Sequence, residues 1–420
     1  MPKPSRVVVA LAALLLGLIG SSPLHAAPNT AKRAPLANPA TRSLLANPDF
    51  ERGLSSHPWM PSGWDTSRAD LPTVFFGRDS FLVHKGQWAV NVANMSTTFP
   101  MAHNWSQTIL VGPQQWGKTA VFRMWTRSNG LEGRAYILVQ AYQDTASKMA
   151  RIWGVDHDEA LTRLGIHKID DPLLDIGWQR VSFDEPLTEW VLREARAYVP
   201  PGCNVLFVRG GIMGTGQVLF DDASLTFEPA PVVPLPKGEN LFREPGFENR
   251  GLAWDLAIPP FEGAKVRIDS TVAHSGRASL TIEDFHDGLV EARIGAGQPF
   301  DGRALRGQRV RLTGWYKGDS LDNTCYVKIY AHGLKTRMTQ SPGGELLSGS
   351  WDWKPLSIEF DIPDDAELVW ANLLVTAPAR GQVWIDDGRF EIIGPARSKA
   401  AAPAAKPGSA PPVGKRPRKP

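Results

Sequence analysis

Gly117-Lys-Thr-Ala-Val-Phe-Arg-Met-Trp125-Thr-Arg-Ser128 is answered by Gly307-Gln-Arg-Val-Arg-Leu-Thr-Gly-Trp315-Tyr-Lys-Gly318. The same shift of 190 carries Trp64-Asp65 onto Trp254-Asp255. Each copy opens on a Phe-Glu pair, in Asn47-Pro-Asp-Phe-Glu51 and Glu244-Pro-Gly-Phe-Glu248, and closes on Gln217-Val-Leu-Phe-Asp-Asp222 or Gln382-Val-Trp-Ile-Asp-Asp387. Two long repeats cannot stack as a solenoid, so each must bury its own core: the chain reads as a pair of domains.

Within each copy, short alternating runs such as Ala135-Tyr-Ile-Leu-Val-Gln-Ala141 and Cys325-Tyr-Val-Lys-Ile-Tyr-Ala331 are bounded by Gly, Pro, Asn and Asp. That pattern predicts an all-β chain of two tandem antiparallel β-sandwiches. Alternation assigns the faces. Ala120, Phe122, Met124, Ala135, Ile137 and Val139 point inward in the first copy, and Leu312, Val327 and Ile329 in the second. Arg123, Trp125 and Arg127 would point outward beside Tyr136, Leu138, Gln140 and Tyr142; the second copy would show Arg311, Thr313, Trp315 and Lys317 beside Tyr326, Lys328, Tyr330 and His332. Cys325 aligns with Ala135 and reads as a buried thiol, and Cys203 offers it no obvious disulfide. The proline-rich Glu228-Pro-Ala-Pro-Val-Val-Pro-Leu-Pro-Lys-Gly238 makes a stiff linker at 229–238, between domain one at 42–228 and domain two at 239–394.

Domain one carries two additions, around 150–170 and between Asp184 and Gln217. In the first, Asp156 can cap a short helix with Glu159, and Gly165 can end it. Asp156-His-Asp-Glu159 with His167, Asp170 and Asp171 lacks the spacing of zinc or EF-hand motifs and reads as a solvated loop.

Lys3 and Arg6 precede the apolar run Val7 to Ile19, and small residues follow, as in a secretory signal peptide at 1–27. A disordered stretch at 28–41 follows it. The run is short for a bilayer span, which implies a secreted or periplasmic protein with no transmembrane segment after cleavage. The formal charge is +3, yet residues 1–40 hold four Lys or Arg and residues 395–420 hold seven, with no acid in either segment. The body between them is therefore net negative, which argues against a globular nucleic-acid-binding surface. The Ala/Pro/Lys/Arg tail at 395–420 cannot form a core. It either spreads along acidic envelope polymers or serves as a solubilising tail.

The order of these motifs resembles the galactose-binding-like jelly rolls, and among them the carbohydrate-binding modules of families four, nine and twenty-two. In domain one the carrying residues are Asn47 to Glu51, Gly86-Gln-Trp-Ala-Val-Asn-Val92, Gly117 to Arg127, Gly177-Trp-Gln-Arg-Val-Ser-Phe183 and Phe220-Asp-Asp222. In domain two they are Phe247-Glu248, Ser275-Gly-Arg-Ala-Ser-Leu-Thr-Ile282, Gly307 to Lys317, Trp353 to Phe360 and Ile385-Asp-Asp387. The resemblance implies a jelly-roll fold and polysaccharide or cell-wall glycan as ligand. It also implies structural calcium held by Glu51 with Asp222 and by Glu248 with Asp387, an oxygen set that suits a hard cation; the alternative is that these acids only cap turns. Domain two departs from the pattern at Glu244-Pro-Gly246.

Sugars present apolar C–H faces and many hydroxyls, so a site for them needs aromatic platforms flanked by hydrogen-bonding groups. Arg123, Trp125, Arg127, Gln140, Tyr142, Trp178 and Arg180 meet that description and form the expected ligand-binding face. Trp64, Trp125 and Trp178 have counterparts at Trp254, Trp315 and Trp353, which favours a framework role. Trp88, Trp105, Trp116 and Trp153 have none and are candidate platforms, Trp88 lying beside core positions. Neither a Gly-x-Ser-x-Gly elbow, a His-Glu-x-x-His helix nor a phosphate loop occurs. The reading is a non-catalytic tandem carbohydrate-binding protein. The alternatives are a cell-envelope interaction protein and, at greater distance, a jelly-roll polysaccharide-degrading enzyme using Tyr142, Arg123 and His103.

Overall fold

The structure, a computed structural model, describes residues 44–66, 71–97, 101–144, 159, 173–186, 188–257, 265–285 and 292–397. The signal segment, the stretch at 28–41, all but the first residues of the basic tail, Trp153 and nearly all of the insertion at 150–170 lie outside them.

Domain one is built from β1 (Asp65–Thr66), β2 (Val74–Asp79), β3 (Ala89–Asn94), β4 (Ala102–Leu110), β5 (Lys118–Asp144), β6 (Leu173–Phe183), β7 (Val191–Val199) and β8 (Val205–Pro229). All pairings are antiparallel. β5 and β8 are long enough to serve two sheets. Their mutual register breaks between Asn129 and Glu132, and there both strands cross together from one sheet to the other. The crossing requires glycine. Gly133 and Gly214 have φ of +119° and +108°, and a Cβ would stand 2.3 Å from the Met213 carbonyl oxygen or 2.2 Å from that of Glu132. The first sheet runs β2-β3-β8-β5-β7 and the second β1-β4-β8-β5-β6.

Domain two repeats this with β9 (Asp255–Ala257), β10 (Lys265–Asp269), β11 (Ser279–Phe285), β12 (Ala292–Asp301), β13 (Gln308–Gly333), β14 (Arg337–Gln340), β15 (Leu347–Asp361), β16 (Ala366–Ala377) and β17 (Ala379–Pro395). Here β13 is the strand shared by the sheets β10-β11-β17-β13-β15 and β9-β12-β16-β13-β14. The chain is thus a tandem of two antiparallel jelly-roll sandwiches. Every position read as inward lies in one of two separate cores, Ala120, Phe122, Met124, Ala135, Ile137 and Val139 in one and Leu312, Val327 and Ile329 in the other. Cys203 and Cys325 are buried free thiols, and burial pushes both up to about 12.

The two sandwiches dock on each other. β6 packs against β12, β13 and β16, and Tyr136, Leu138, Trp178, Met213 and Leu368 make a small apolar cluster across the junction. The buried Arg134 guanidinium donates to the carbonyls of Gly251 and Trp254, both at 3.1 Å, and of Arg250 at 3.4 Å. These are carbonyls of domain two that would otherwise lose water without gaining a donor.

Candidate functional site

The seven residues expected to form one ligand-binding face do not share a face. Alternation alone sets residues 118–129 and 132–144 side by side in one sheet, whereas the glycine crossing puts them in opposite sheets. Arg123, Trp125 and Arg127 therefore lie on one outer surface of the sandwich, and Gln140, Tyr142, Trp178 and Arg180 on the other.

The first group is engaged within its own sheet. Arg123 Nε is 2.6 Å from Glu194 Oε2, and its Nη2 is 3.5 Å from Glu228; Arg196 bonds both acids as well. Trp125 stacks on His84, with centroids 4.0 Å apart and planes 17° from parallel. Arg127 is half-buried. The second group is covered. Gln140, Tyr142 and Trp178 are 0%, 4% and 9% exposed, and Gln140 donates to the Tyr142 hydroxyl. Trp178 meets Trp370 of domain two edge-on at 5.4 Å and donates to Asp255 Oδ2, while Arg180 pairs with Asp255 Oδ1 at 2.8 Å. What alternation identified as an outer aromatic face is a domain-docking face. Of the unmatched tryptophans, Trp105 is fully buried, Trp116 donates to the Cys203 carbonyl against the core, and Trp88 is half-buried under the Arg78 guanidinium at 4.0 Å.

The four acids expected to hold calcium sit where each chain end meets a hairpin. Glu51 Oε1 accepts the N–H groups of Gln87 and Trp88, and Glu248 Oε1 those of Arg277 and Ala278. Asp222 Oδ2 bonds His84 Nδ1 at 2.7 Å, and Asp387 Oδ2 bonds His274 Nδ1 at 2.6 Å. The next acids inward, Asp221 and Asp386, are pushed up to about 6 by burial. A Cβ at Gly246 would stand 3.7 Å from Asp387 Oδ1 and 3.8 Å from Glu248 Cγ, so the paired acids are close. No donor among the described residues reaches Glu51 Oε2 or Asp222 Oδ1. In domain one, two carboxylates with oxygens to spare fit one side of a calcium shell, whereas in domain two Asp387 Oδ1 already accepts from the Ser275 hydroxyl at 2.8 Å and Glu248 Oε2 lies 3.9 Å from Arg277 Nε. Among the described residues no third His, Cys, Asp or Glu joins them to hold a metal, so the remaining oxygens would be carbonyls and water.

His274 repeats the His84 stack on Trp315, at 3.9 Å and 17°. A second indole meets each imidazole at an angle, Trp190 at 5.9 Å in domain one and Trp353 at 5.5 Å in domain two. The counterpart of Trp353 is thus Trp190 on the approach to β7, not Trp178 on β6. Both histidines obey the 190-residue shift that first revealed the duplication, so the signal for them was present in the sequence.

Among the described residues, a recess opens in domain two. Its second sheet lacks an equivalent of the eleven-residue β6, because β14 has only four residues. The chain then curls back through Gly343, Gly344 and Leu346, and a recess of about 320 Å³ forms between this loop and the outer face of β12, β13 and β16. Arg293, Thr324, Tyr326, Lys328, Tyr330, Gln340 and Thr376 supply its polar lining. Thr324, Tyr326, Lys328 and Tyr330 alternate along one strand, which turns all four side chains to the same face. Arg293 donates to the Tyr330 hydroxyl, and Lys328 Nζ to the Ser341 carbonyl at 2.6 Å. Burial, and then the Arg293 charge, lower Lys328 from its ordinary value; burial raises Tyr326. The far end of this face, at His332 and Leu368, is buried.

No family model matches the chain, and neither does any curated protein. Similar solved structures include the tandem of two family 22 carbohydrate-binding modules from Paenibacillus barcinonensis Xyn10C, 13% identical, covering 82% of this chain and 95% of that one at a TM-score of 0.29. The C-terminal family 22 module of Clostridium thermocellum Xyn10B is 18% identical over 39% of this chain and 99% of its own, at 0.30. A family 61 module, TmCBM61, solved with β-1,4-galactotriose, is 16% identical over 37% and 99%, at 0.27. At these scores the jelly-roll assignment stands on the chain's own strand pairing.

Proposed function

We propose that this chain is a secreted or periplasmic, non-catalytic carbohydrate-binding protein whose polysaccharide ligand lies in the domain-two cleft. The observation that carries the reading is the cleft itself. The half-buried Tyr326 ring, with the buried Tyr330 beneath the Arg293 contact, is flanked by an ammonium, a guanidinium, a carboxamide and two hydroxyls, so an apolar platform and directional hydrogen bonds come together. Glycoside hydrolysis ordinarily uses two carboxyl groups flanking the scissile bond, and no acid is among the residues lining the cleft. In this reading domain one is the support that docks against the far end of the same sheet, and calcium at the two acid pairs stiffens the chain ends. The Lys/Arg-rich tail adds contact with acidic envelope polymers.

The test is affinity electrophoresis of the full chain through gels containing soluble polysaccharides. Xylan and β-1,4-galactan head the panel as neutral β-1,4-linked polymers. Retardation by at least one polymer that Tyr326→Ala removes, with folding intact by circular dichroism, is expected. Retardation by none, or retention indifferent to Tyr326, overturns the reading; capture on envelope protein alone would instead establish the interaction-protein alternative.

A further inference from the structure

The cleft's charge is as informative as its rings. Several surface arginines of this chain are matched to acids: Arg123 to Glu194 and Glu228, Arg309 to Glu359 and Asp361, Arg311 to Glu359 and Glu391. In the cleft two cations face one recess, and among the described residues no acid pairs with either. Lys328 spends one hydrogen on the Ser341 carbonyl, and Arg293 spends one on the Tyr330 hydroxyl. A guanidinium has five N–H donors and an ammonium three, so most of this donor capacity is unspent and faces the opening. Glu345 lies on the same loop but is exposed and does not line the recess.

We infer that the cleft takes a polysaccharide whose sugar rings carry an anionic group, held by Lys328 and Arg293 while a neighbouring ring rests on Tyr326. This rests on the carbohydrate reading above and adds the chemical class of ligand. Three features support it. Two like charges held near each other in a partly dry site repel, as the lowering of Lys328 by burial and by Arg293 records, and an anion between them removes that repulsion. Arg293 is exposed and can present its planar fork to two oxygens of one carboxylate or sulfate. The body of the chain is net negative, so attraction for a polyanion has to be local to this recess and not a property of the whole surface.

Carboxylates and sulfates share this chemistry, and the experiment separates them. The full chain is titrated calorimetrically with polygalacturonate, with the same polymer after reduction of its carboxylates to alcohols, with dextran sulfate, and with neutral xylan and β-1,4-galactan. Lys328→Met and Arg293→Met are measured beside the parent, and melting curves establish that each is folded. Expected is binding to polygalacturonate, dextran sulfate or both, weakened at least tenfold by carboxylate reduction where the uronate is bound, by either substitution, and by raising salt from about 0.05 to 0.5 M. Which polyanion binds identifies the anionic group. Binding of neutral polymers equal to or better than the charged ones, untouched by Lys328→Met, overturns this inference and leaves the carbohydrate reading standing. Binding to none of the five overturns both. Shortening of the polymer during the titration would keep the ligand class and remove the non-catalytic part of the proposed function.

Discussion

Trp178 distinguishes a docking face from a ligand face. Its indole is 9% exposed, packs edge-on against Trp370 and donates to Asp255, the carboxylate that also holds Arg180. Trp178→Ala removes a buried ring, an edge-to-face pair worth about 1 kcal/mol, and a charge-assisted hydrogen bond worth about 2 kcal/mol. These overlap, and buried Trp→Ala changes cost about 3–5 kcal/mol in total. At about 2–4 °C per kcal/mol for a domain of this size, the melting temperature should fall by about 6–20 °C. Small-angle scattering at 25 °C should show the two sandwiches swinging apart. Polysaccharide retention at 25 °C should survive, because the cleft at Tyr326 is on another part of the chain. A variant that melts within about 2 °C of the parent yet loses its polysaccharide would refute the reasoning and return Trp178 to an open binding face.

Acid should weaken the domain junction through His332, which burial holds down at about 4. A histidine with a depressed folded value contributes stability above its unfolded value of 6.5, and loses it as pH falls from there through 4. Chemical denaturation of the parent and His332→Gln at pH 7 and pH 4 should therefore differ by about 3 kcal/mol in their loss on acidification, the parent losing more. Calcium at about a hundredfold over its dissociation constant should raise the melting temperature over that in EDTA by about 5–10 °C. The double variant Glu51→Gln, Glu248→Gln should abolish the rise, and no rise in the parent would leave the four acids as hairpin anchors alone. Cys203 and Cys325 should react with a thiol reagent at least about a hundredfold faster after denaturation than before it, since burial raises both and closes access. Prompt reaction of the native protein would contradict their placement in the cores.

Strand faces were legible because alternation is a local property: Phe122 and Met124 turn inward whatever the neighbouring strand is. Which strands neighbour one another was not local. The sequence at Asn129 to Gly133 looks like a hairpin turn, yet it is where β5 crosses between sheets alongside β8, a strand some eighty residues further along the chain. That one misreading joined Trp125 to Trp178 across the thickness of the sandwich. Burial of Gln140 and Tyr142 was equally out of reach, because it comes from the packing of the folded sheets and leaves no mark on either copy's own pattern. On the domain-two face, Tyr326, Lys328 and Tyr330 were correctly read as outward, whereas Arg293, Gln340 and Thr376 come from strands that the alternation never singled out. The recess exists because β14 is short, and its importance appears only once β6 is seen to occupy the corresponding place in domain one.

Hydrogen–deuterium exchange of the full chain with and without a saturating oligosaccharide from the polymer it retains is the most direct test. The account predicts slowed exchange over 324–330 and 340–346, with 134–142 and 175–182 unchanged because docking already protects them. Protection confined to the domain-one segments, with the domain-two cleft unaltered, would contradict it.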